Sequence, residues 1–210
     1  ISKPHLTDHE RAKLLDCFDS SFISSQSEYV TKFEQQFCQT FNYANSISVC
    51  NGTVALKLAL STLNLKKGST ILVPNHCFIS PVNMVIDSGY VPIFYDIDPS
   101  NLQVDLTSVD PIDLENCSAA ILVHNYGIAC EVPSAWQQLK IIEDCAEAIG
   151  SRFADGSYVG TKGLVNTFSF FANKSLTTGE GGMVVTKDQL ISRNLYKKRD
   201  HAMSVNRRYF

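Results

Sequence analysis

NTFSFFANKSLTTGEGGMVVT, residues 166–186, is the stretch on which the reading of this chain turns, and Lys174 sits at its centre. Phe168, Phe170 and Phe171 on one side mark a buried, strand-like approach. Gly179, Gly181 and Gly182 on the other mark a tight turn with something packed close against it. A lysine amine at such a junction is partly desolvated. Desolvation disfavours the ammonium form and leaves more neutral amine to attack a carbonyl. The other reading is a solvated loop lysine beside flexible glycines, and this run alone does not separate the two.

Working outward, Gly182 to Thr186 reads as a strand and Asp188 to Lys198 as a helix. Upstream, Thr167–Phe170 and Ser151–Phe153 read as short strands, the latter beside a turn at Asp155-Gly156. Lys140–Glu143, Ala119–Val123, Val91–Tyr95 and Thr70–Val73 are apolar runs of strand length, and Ser80–Ser88 between two of them is helical up to Gly89. Ser46–Cys50 is a further strand, and Gly52-Thr53 opens an apolar helix to about Leu63. The N-terminal segment, about residues 1–45, is helical. Thr7-Asp8-His9-Glu10 fits a capping box for a helix to about Phe18, and Val30, Phe33, Phe37, Cys38 and Phe41 follow at helical spacing as a core-facing stripe. Strands alternating with helices predict an α/β domain with a mostly parallel central sheet and helices on both faces.

Composition bounds the function. The chain has 210 residues, 44% hydrophobic and 19% charged, which suits one globular domain with a sizeable core. A net charge of −3 leaves nucleic acid without an electrostatic footprint. Lys197, Lys198 and Arg199, with Arg207 and Arg208, form the one basic concentration, read as a solvated helix face or as a contact for a diphosphate. The seven cysteines are scattered with no Cys-x-x-Cys, so they read as reduced thiols of a cytoplasmic protein rather than as disulfides or a zinc site. No run is long and apolar enough for a membrane span.

Candidate chemistry gathers at strand ends. Asn51-Gly52-Thr53 lies between a strand and a helix, where free N–H groups and the positive end of the helix dipole suit a phosphate; an ordinary helix start is the alternative. Asp144 ends the strand in IIEDCAEAIGS. It reads as a carboxylate able to keep a pyridine nitrogen protonated, or as a helix cap. Glu147 is one helical turn further, able to reach the same ligand or to stay solvated. Phe78 is placed to stack on a flat ring or to fill the core. Ser169 is a hydroxyl inside an apolar strand and needs a partner, for which a phosphate oxygen is one choice. His124 follows a strand and is either a satisfied core histidine or part of the crevice wall. His76 and His201 are weaker candidates. No metal-ligand spacing or Ser-His-Asp arrangement is convincing, and Gly179-Glu180-Gly181-Gly182 lacks the strand-then-helix context of a dinucleotide loop.

Several blocks in fixed order carry a resemblance: ISKPHLT, SSFISSQSEYVTKFEQQF, VCNGTVALKLAL, VPNHCFISPVNMVIDSGYVPIFYDID, LVHNYG, IIEDCAEAIGS, TFSFFANKSLTTGEGGMVVT and RDHAMSVNRRYF. Together they resemble the DegT/DnrJ/EryC1/StrS family of pyridoxal-phosphate sugar aminotransferases along nearly the whole chain. The resemblance implies an aspartate-aminotransferase-like, fold type I large domain and pyridoxal 5'-phosphate as cofactor. Lys174 would be the Schiff-base lysine and proton shuttle, and Asp144 the partner of the pyridine nitrogen. Gly52, Thr53 and Ser169 would hold the phosphate, Phe78 would stack on the ring, Glu147 would lie by the cofactor, and Ser24 in FISS would lie near substrate. Glutamate would donate the amino group to a nucleotide-linked keto-deoxy sugar of the GDP-4-keto-6-deoxymannose kind, in amino-sugar and polysaccharide biosynthesis. The full-length enzyme would be a homodimer.

Two departures qualify the resemblance. Family members continue past the RDHAMS-like block into a smaller domain, with a partner-subunit loop near the phosphate, whereas this sequence ends at Phe210. Ala202 stands where that block usually has glycine. The alternatives are a sugar 3-dehydratase of the same family, whose histidine in place of the lysine Lys174 argues against, and a shortened, non-catalytic remnant.

Overall fold

The computed structural model describes residues 3–202. Its centre is an eight-stranded sheet in the order β1-β8-β7-β6-β5-β2-β3-β4. These strands are β1 (Asn45–Val49), β2 (Thr70–Pro74), β3 (Val91–Ile97), β4 (Val104–Asp105), β5 (Ala119–Val123), β6 (Lys140–Asp144), β7 (Val165–Ser169) and β8 (Gly182–Thr186). The middle run β7-β6-β5-β2-β3 is parallel, while β8 is antiparallel to both β1 and β7, and β4 is antiparallel to β3.

The pleat divides the core. In β2, Ile71 and Val73 join one apolar cluster and Leu72 the opposite one; in β5, Ala119 and Ile121 part from Ala120 and Leu122 in the same way. Side chains that alternate between two buried faces require helices on both, which the sequence pattern anticipates. One face is covered by α3 (Gly52–Leu60), α4 (Ser80–Asp87) and α6 (Gln189–Arg199), through Leu56, Leu60, Val85 and Leu195. The other carries α2 (Glu28–Phe41), whose Phe37 packs edge-on against Phe168 at 5.2 Å between ring centroids, and a second cluster around Tyr95 and Trp136.

Local signals explain most boundaries. Thr7 caps α1 (Asp8–Asp19), and the Glu10 carboxylate accepts the Thr7 N–H at 2.7 Å, completing the capping box. α2 stops at Asn42 in the left-handed conformation. Several expectations need correcting. α3 ends at Leu60, not Leu63, because Ser61 caps it and the Thr62 and Leu63 N–H groups turn back on Ala59 and Leu60. Ser151–Phe153 forms no strand; Arg152 makes one isolated bridge to Tyr158 around the Asp155-Gly156 turn. Phe170 lies beyond the end of β7. β4 and the short helix α5 (Pro111–Asn116) carry too few residues to show a period and were not anticipated. Arg199 of the basic cluster pairs with Glu34 at 2.5 Å and Lys198 bonds the Ser61 carbonyl at 2.5 Å, whereas Arg207 and Arg208 lie outside the described residues.

Candidate active site

The carboxyl ends of β5, β6 and β7, the start of α3 and the segment after β2 that carries Phe78 and Ser80 enclose a crevice of about 360 Å³. Lys174, Asp144, Glu147, Phe78, Gly52, Thr53 and Ser169 all line it. Residues scattered over more than a hundred positions meet because parallel strands point their carboxyl ends the same way.

One wall is an anion cradle. Asn51 is the extended N-cap of α3, and its Oδ1 accepts the Val54 N–H at 2.9 Å. The N–H groups of Gly52 and Thr53 have no protein acceptor among the described residues and stand at the positive end of the helix. A Cβ on Gly52 would come within 2.9 Å of the Ser169 Cβ, and one on Gly182 within 2.5 Å of the Asn51 carbonyl oxygen. Two glycines thus seat the helix start directly on β7 and β8. The Thr53 hydroxyl lies 2.8 Å from that of Ser80, adding a hydroxyl that the sequence reading missed. Ser80 begins a helix after a strand end, the same signal that singled out Asn51-Gly52-Thr53.

The floor is acidic. Asp144, the last residue of β6, is 6% exposed, and its Oδ1 accepts the Ala146 N–H at 3.1 Å. Burial pushes its carboxyl above the usual aspartate range, against the opposing pull of the Ala146 N–H and the nearby Lys174. Opposite, the Lys174 Nζ lies 3.2 Å from Glu147 Oε1, and Glu147 Oε2 accepts the Tyr126 N–H at 3.0 Å. Burial raises the Glu147 carboxyl, but the Tyr126 N–H and the Lys174 ammonium outweigh it and hold the group below the ordinary glutamate value. Phe78 stands at the mouth, 73% exposed, so it belongs to no core cluster and its ring is free to cover a flat ligand.

Two sequence candidates fall elsewhere. His124 is fully buried and does not reach the crevice: its Nδ1 accepts the Cys130 N–H at 3.0 Å and its Nε2 donates to Glu143 Oε2 at 2.9 Å. It is the satisfied core histidine of the two readings. Ser24 is exposed and is not among the residues that line the crevice; it lies in the turn that leads into α2, with the Ser27 N–H on the Ser24 carbonyl at 3.0 Å. His124, Glu143 and Cys145 place ligand atoms within 4.8 Å of one another, yet this is not an open metal centre. Glu143 already accepts N–H groups from Gly160 at 2.7 Å, Lys162 at 2.7 Å and Gly163 at 2.5 Å besides His124, and burial keeps Cys145 a thiol.

The model of the DegT/DnrJ/EryC1/StrS aminotransferase family matches residues 4–210. The chain is 38% identical over 215 residues to GDP-perosamine synthase of Vibrio cholerae, covering all of this chain and 58% of that enzyme. Its fold is that of 3-amino-5-hydroxybenzoic acid synthase, with a TM-score of 0.88 at 28% identity over 100% of this chain and 57% of that one. An E. coli GDP-4-keto-6-deoxy-D-mannose-3-dehydratase with bound hydrated pyridoxal phosphate is similar over 98% of this chain and 56% of that one, with a TM-score of 0.85 at 28% identity. The chain spans little more than half the length of these relatives. With an aspartate-aminotransferase-like, mostly parallel sheet and a family match along nearly its whole length, the chain belongs to the DegT/DnrJ/EryC1/StrS aminotransferase family.

Proposed function

We propose that this chain is the large domain of an aminotransferase that moves the amino group of glutamate onto a nucleotide-linked keto-deoxy sugar of the GDP-4-keto-6-deoxymannose kind, using pyridoxal phosphate. The family is one of pyridoxal-phosphate sugar aminotransferases, and the curated relatives from Vibrio cholerae and E. coli are GDP-perosamine synthases. The observation that carries the reading is the meeting of Lys174 and the buried Asp144 in one crevice with the anion cradle.

The residues present fit the cofactor. Gly52 and Thr53 would hold a phosphate dianion through N–H groups, helped by the hydroxyls of Thr53, Ser80 and Ser169. Asp144 would keep positive charge on the ring nitrogen, which favours its ionised form against the cost of burial. Phe78 would cover one face of the ring and exclude water. When bound, the cofactor supplies an electron sink that acidifies the substrate C–H beside the nitrogen. Lys174 would anchor the cofactor through Nζ, then take and return the proton at the substrate carbon in each half of the exchange. Glu147 would aim Nζ toward the crevice.

The test is to incubate the purified chain with pyridoxal phosphate, reduce with borohydride and locate the adduct by peptide mass spectrometry. Attachment at Lys174, absent from Lys174→Ala, is expected. Glutamate labelled with ¹⁵N should then deliver its label to GDP-4-keto-6-deoxymannose. A product that loses oxygen without gaining nitrogen would assign dehydration instead, and an adduct at some other lysine would overturn the reading.

A further inference from the structure

Two exposed rings stand beside the crevice with no assigned role. Tyr126 is 68% exposed, and His76, also exposed, places its Nε2 3.1 Å from the Tyr126 hydroxyl. Neither lines the crevice, but both are tied to residues that do. The His76 carbonyl accepts the Asn125 Nδ2–H at 2.9 Å, and the Tyr126 N–H donates to Glu147 at 3.0 Å. Glu147 in turn holds the Lys174 Nζ at 3.2 Å. The backbone of Tyr126 is therefore one carboxylate away from the amine that a substrate carbon has to meet. His76 lies two residues before Phe78, which stands at the mouth.

The backbone at Tyr126 is strained, and packing does not offset the strain. Tyr126 has φ 56° and Gly127 φ 84°, two left-handed residues in succession. Glycine adopts that conformation freely, whereas a tyrosine Cβ crowds the following carbonyl. The Tyr126 ring belongs to none of the apolar clusters; it meets His76, with ring centroids 6.0 Å apart. A bulky residue held in an unfavourable conformation with its ring in solvent points to a role other than stability. The hydrogen-bond inventory says what the pair can hold. A neutral imidazole has one donor and one acceptor, and a tyrosine hydroxyl both donates and accepts. Whichever way the proton lies between Nε2 and the hydroxyl, one donor and one acceptor are left over, without a partner among the described residues.

We propose that Tyr126 and His76 form a specificity-determining pair that binds neighbouring hydroxyls of the substrate's sugar ring. The inference rests on the function proposed above and names which part of that substrate the crevice rim reads. The carbon that receives nitrogen belongs to the sugar ring, so polar groups tied to Lys174 through Glu147 face that ring, and the diphosphate lies further out. A donor and an acceptor side by side match two adjacent hydroxyls, each of which gives and takes a hydrogen bond. Glutamate carries no such pair of hydroxyls, so the two half-reactions depend on Tyr126 and His76 unequally.

The experiment measures kcat/KM separately for glutamate and for GDP-4-keto-6-deoxymannose in the unaltered chain, Tyr126→Phe, Tyr126→Gly and His76→Leu, each loaded with pyridoxal phosphate, alongside a thermal melt and inhibition by GDP. In all three variants kcat/KM for the nucleotide sugar should fall about tenfold, the loss of one hydrogen bond, while the value for glutamate and the inhibition by GDP hold. Tyr126→Gly should melt no lower than the unaltered chain, because it releases the strained backbone. An unmoved value for the nucleotide sugar, or an equal fall for both substrates, would overturn the inference and leave the proposed function standing. Weakened inhibition by GDP would place the pair on the nucleotide and overturn it as well. A clearly lower melting temperature for Tyr126→Gly would make the ring structural, with the same consequence. If Tyr126→Gly or His76→Leu does not fold, Tyr126→Phe alone decides. An unaltered chain that fixes no cofactor at Lys174 overturns the proposed function, and this inference with it.

Discussion

Asp144 shows at single-residue scale how a candidate functional group opposes stability. Its folded value is raised by burial, so the stabilising protonated form is present at low pH and is lost as pH rises through that value. At neutral pH the cofactor-free chain therefore carries the cost of an enclosed carboxylate. Asp144→Asn keeps the Ala146 hydrogen bond and removes that cost. The variant should melt roughly 2–4 °C higher without cofactor, for about 1 kcal/mol, while transamination falls by about 10²-fold or more. Calorimetry at pH 7 and a coupled 2-oxoglutarate assay check the two halves. Ala202 shows the reverse case. It sits at φ 60°, where an alanine is strained and a glycine is free. Ala202→Gly should stabilise the chain by about 1 kcal/mol, read as a rise of roughly 2–4 °C in a thermal scan. The family resemblance marked a glycine as missing there, and only the backbone angle shows why that matters.

The decisive element is the junction of β1, α3 and β8. Asn51→Ala removes a side-chain cap and should cost about 1 kcal/mol in urea unfolding. Gly182→Ala drives a Cβ into the Asn51 carbonyl, a backbone atom that cannot rotate away. The helix start has to shift, with an expected loss of about 1–3 kcal/mol and a clear weakening of phosphate binding, measurable by equilibrium dialysis with pyridoxal phosphate. This junction was half legible. A strand followed by Asn-Gly-Thr announced a helix start, and Gly182 announced close packing. That the two glycines serve one another could not be read, because residues 52 and 182 meet only through strand order. The same limit hid Ser80, which matters through its contact with Thr53.

At the scale of the molecule, one buried anion ties the sheet to the loop that covers it. Glu143 gathers the N–H groups of Gly160, Lys162 and Gly163 with His124. Burial raises its carboxyl, and the His124 ring and these N–H groups more than compensate, so its folded value lies below the ordinary one. Its stability is present above the unfolded value, about 4.3, and is lost as pH falls through the folded value. Melting temperatures followed from pH 7 to 3 should hold and then drop steeply. Glu143→Gln should start lower at pH 7 and fall less over the acid limb. A variant that keeps the full acid dependence would place the acid sensitivity elsewhere.

The linear order of residues determined the class of fold, through alternating strands and helices whose apolar side chains point both ways. It also singled out the candidate residues, because a lysine between aromatic and glycine runs, an acid at a strand end and a glycine at a helix start each carry their reason locally. Tertiary structure alone decided which of these act together. Burial and distance are properties of elements brought side by side, so it took the folded sheet to seat Lys174 across from Asp144, to close His124 into the core and to set the Tyr126 ring beside His76.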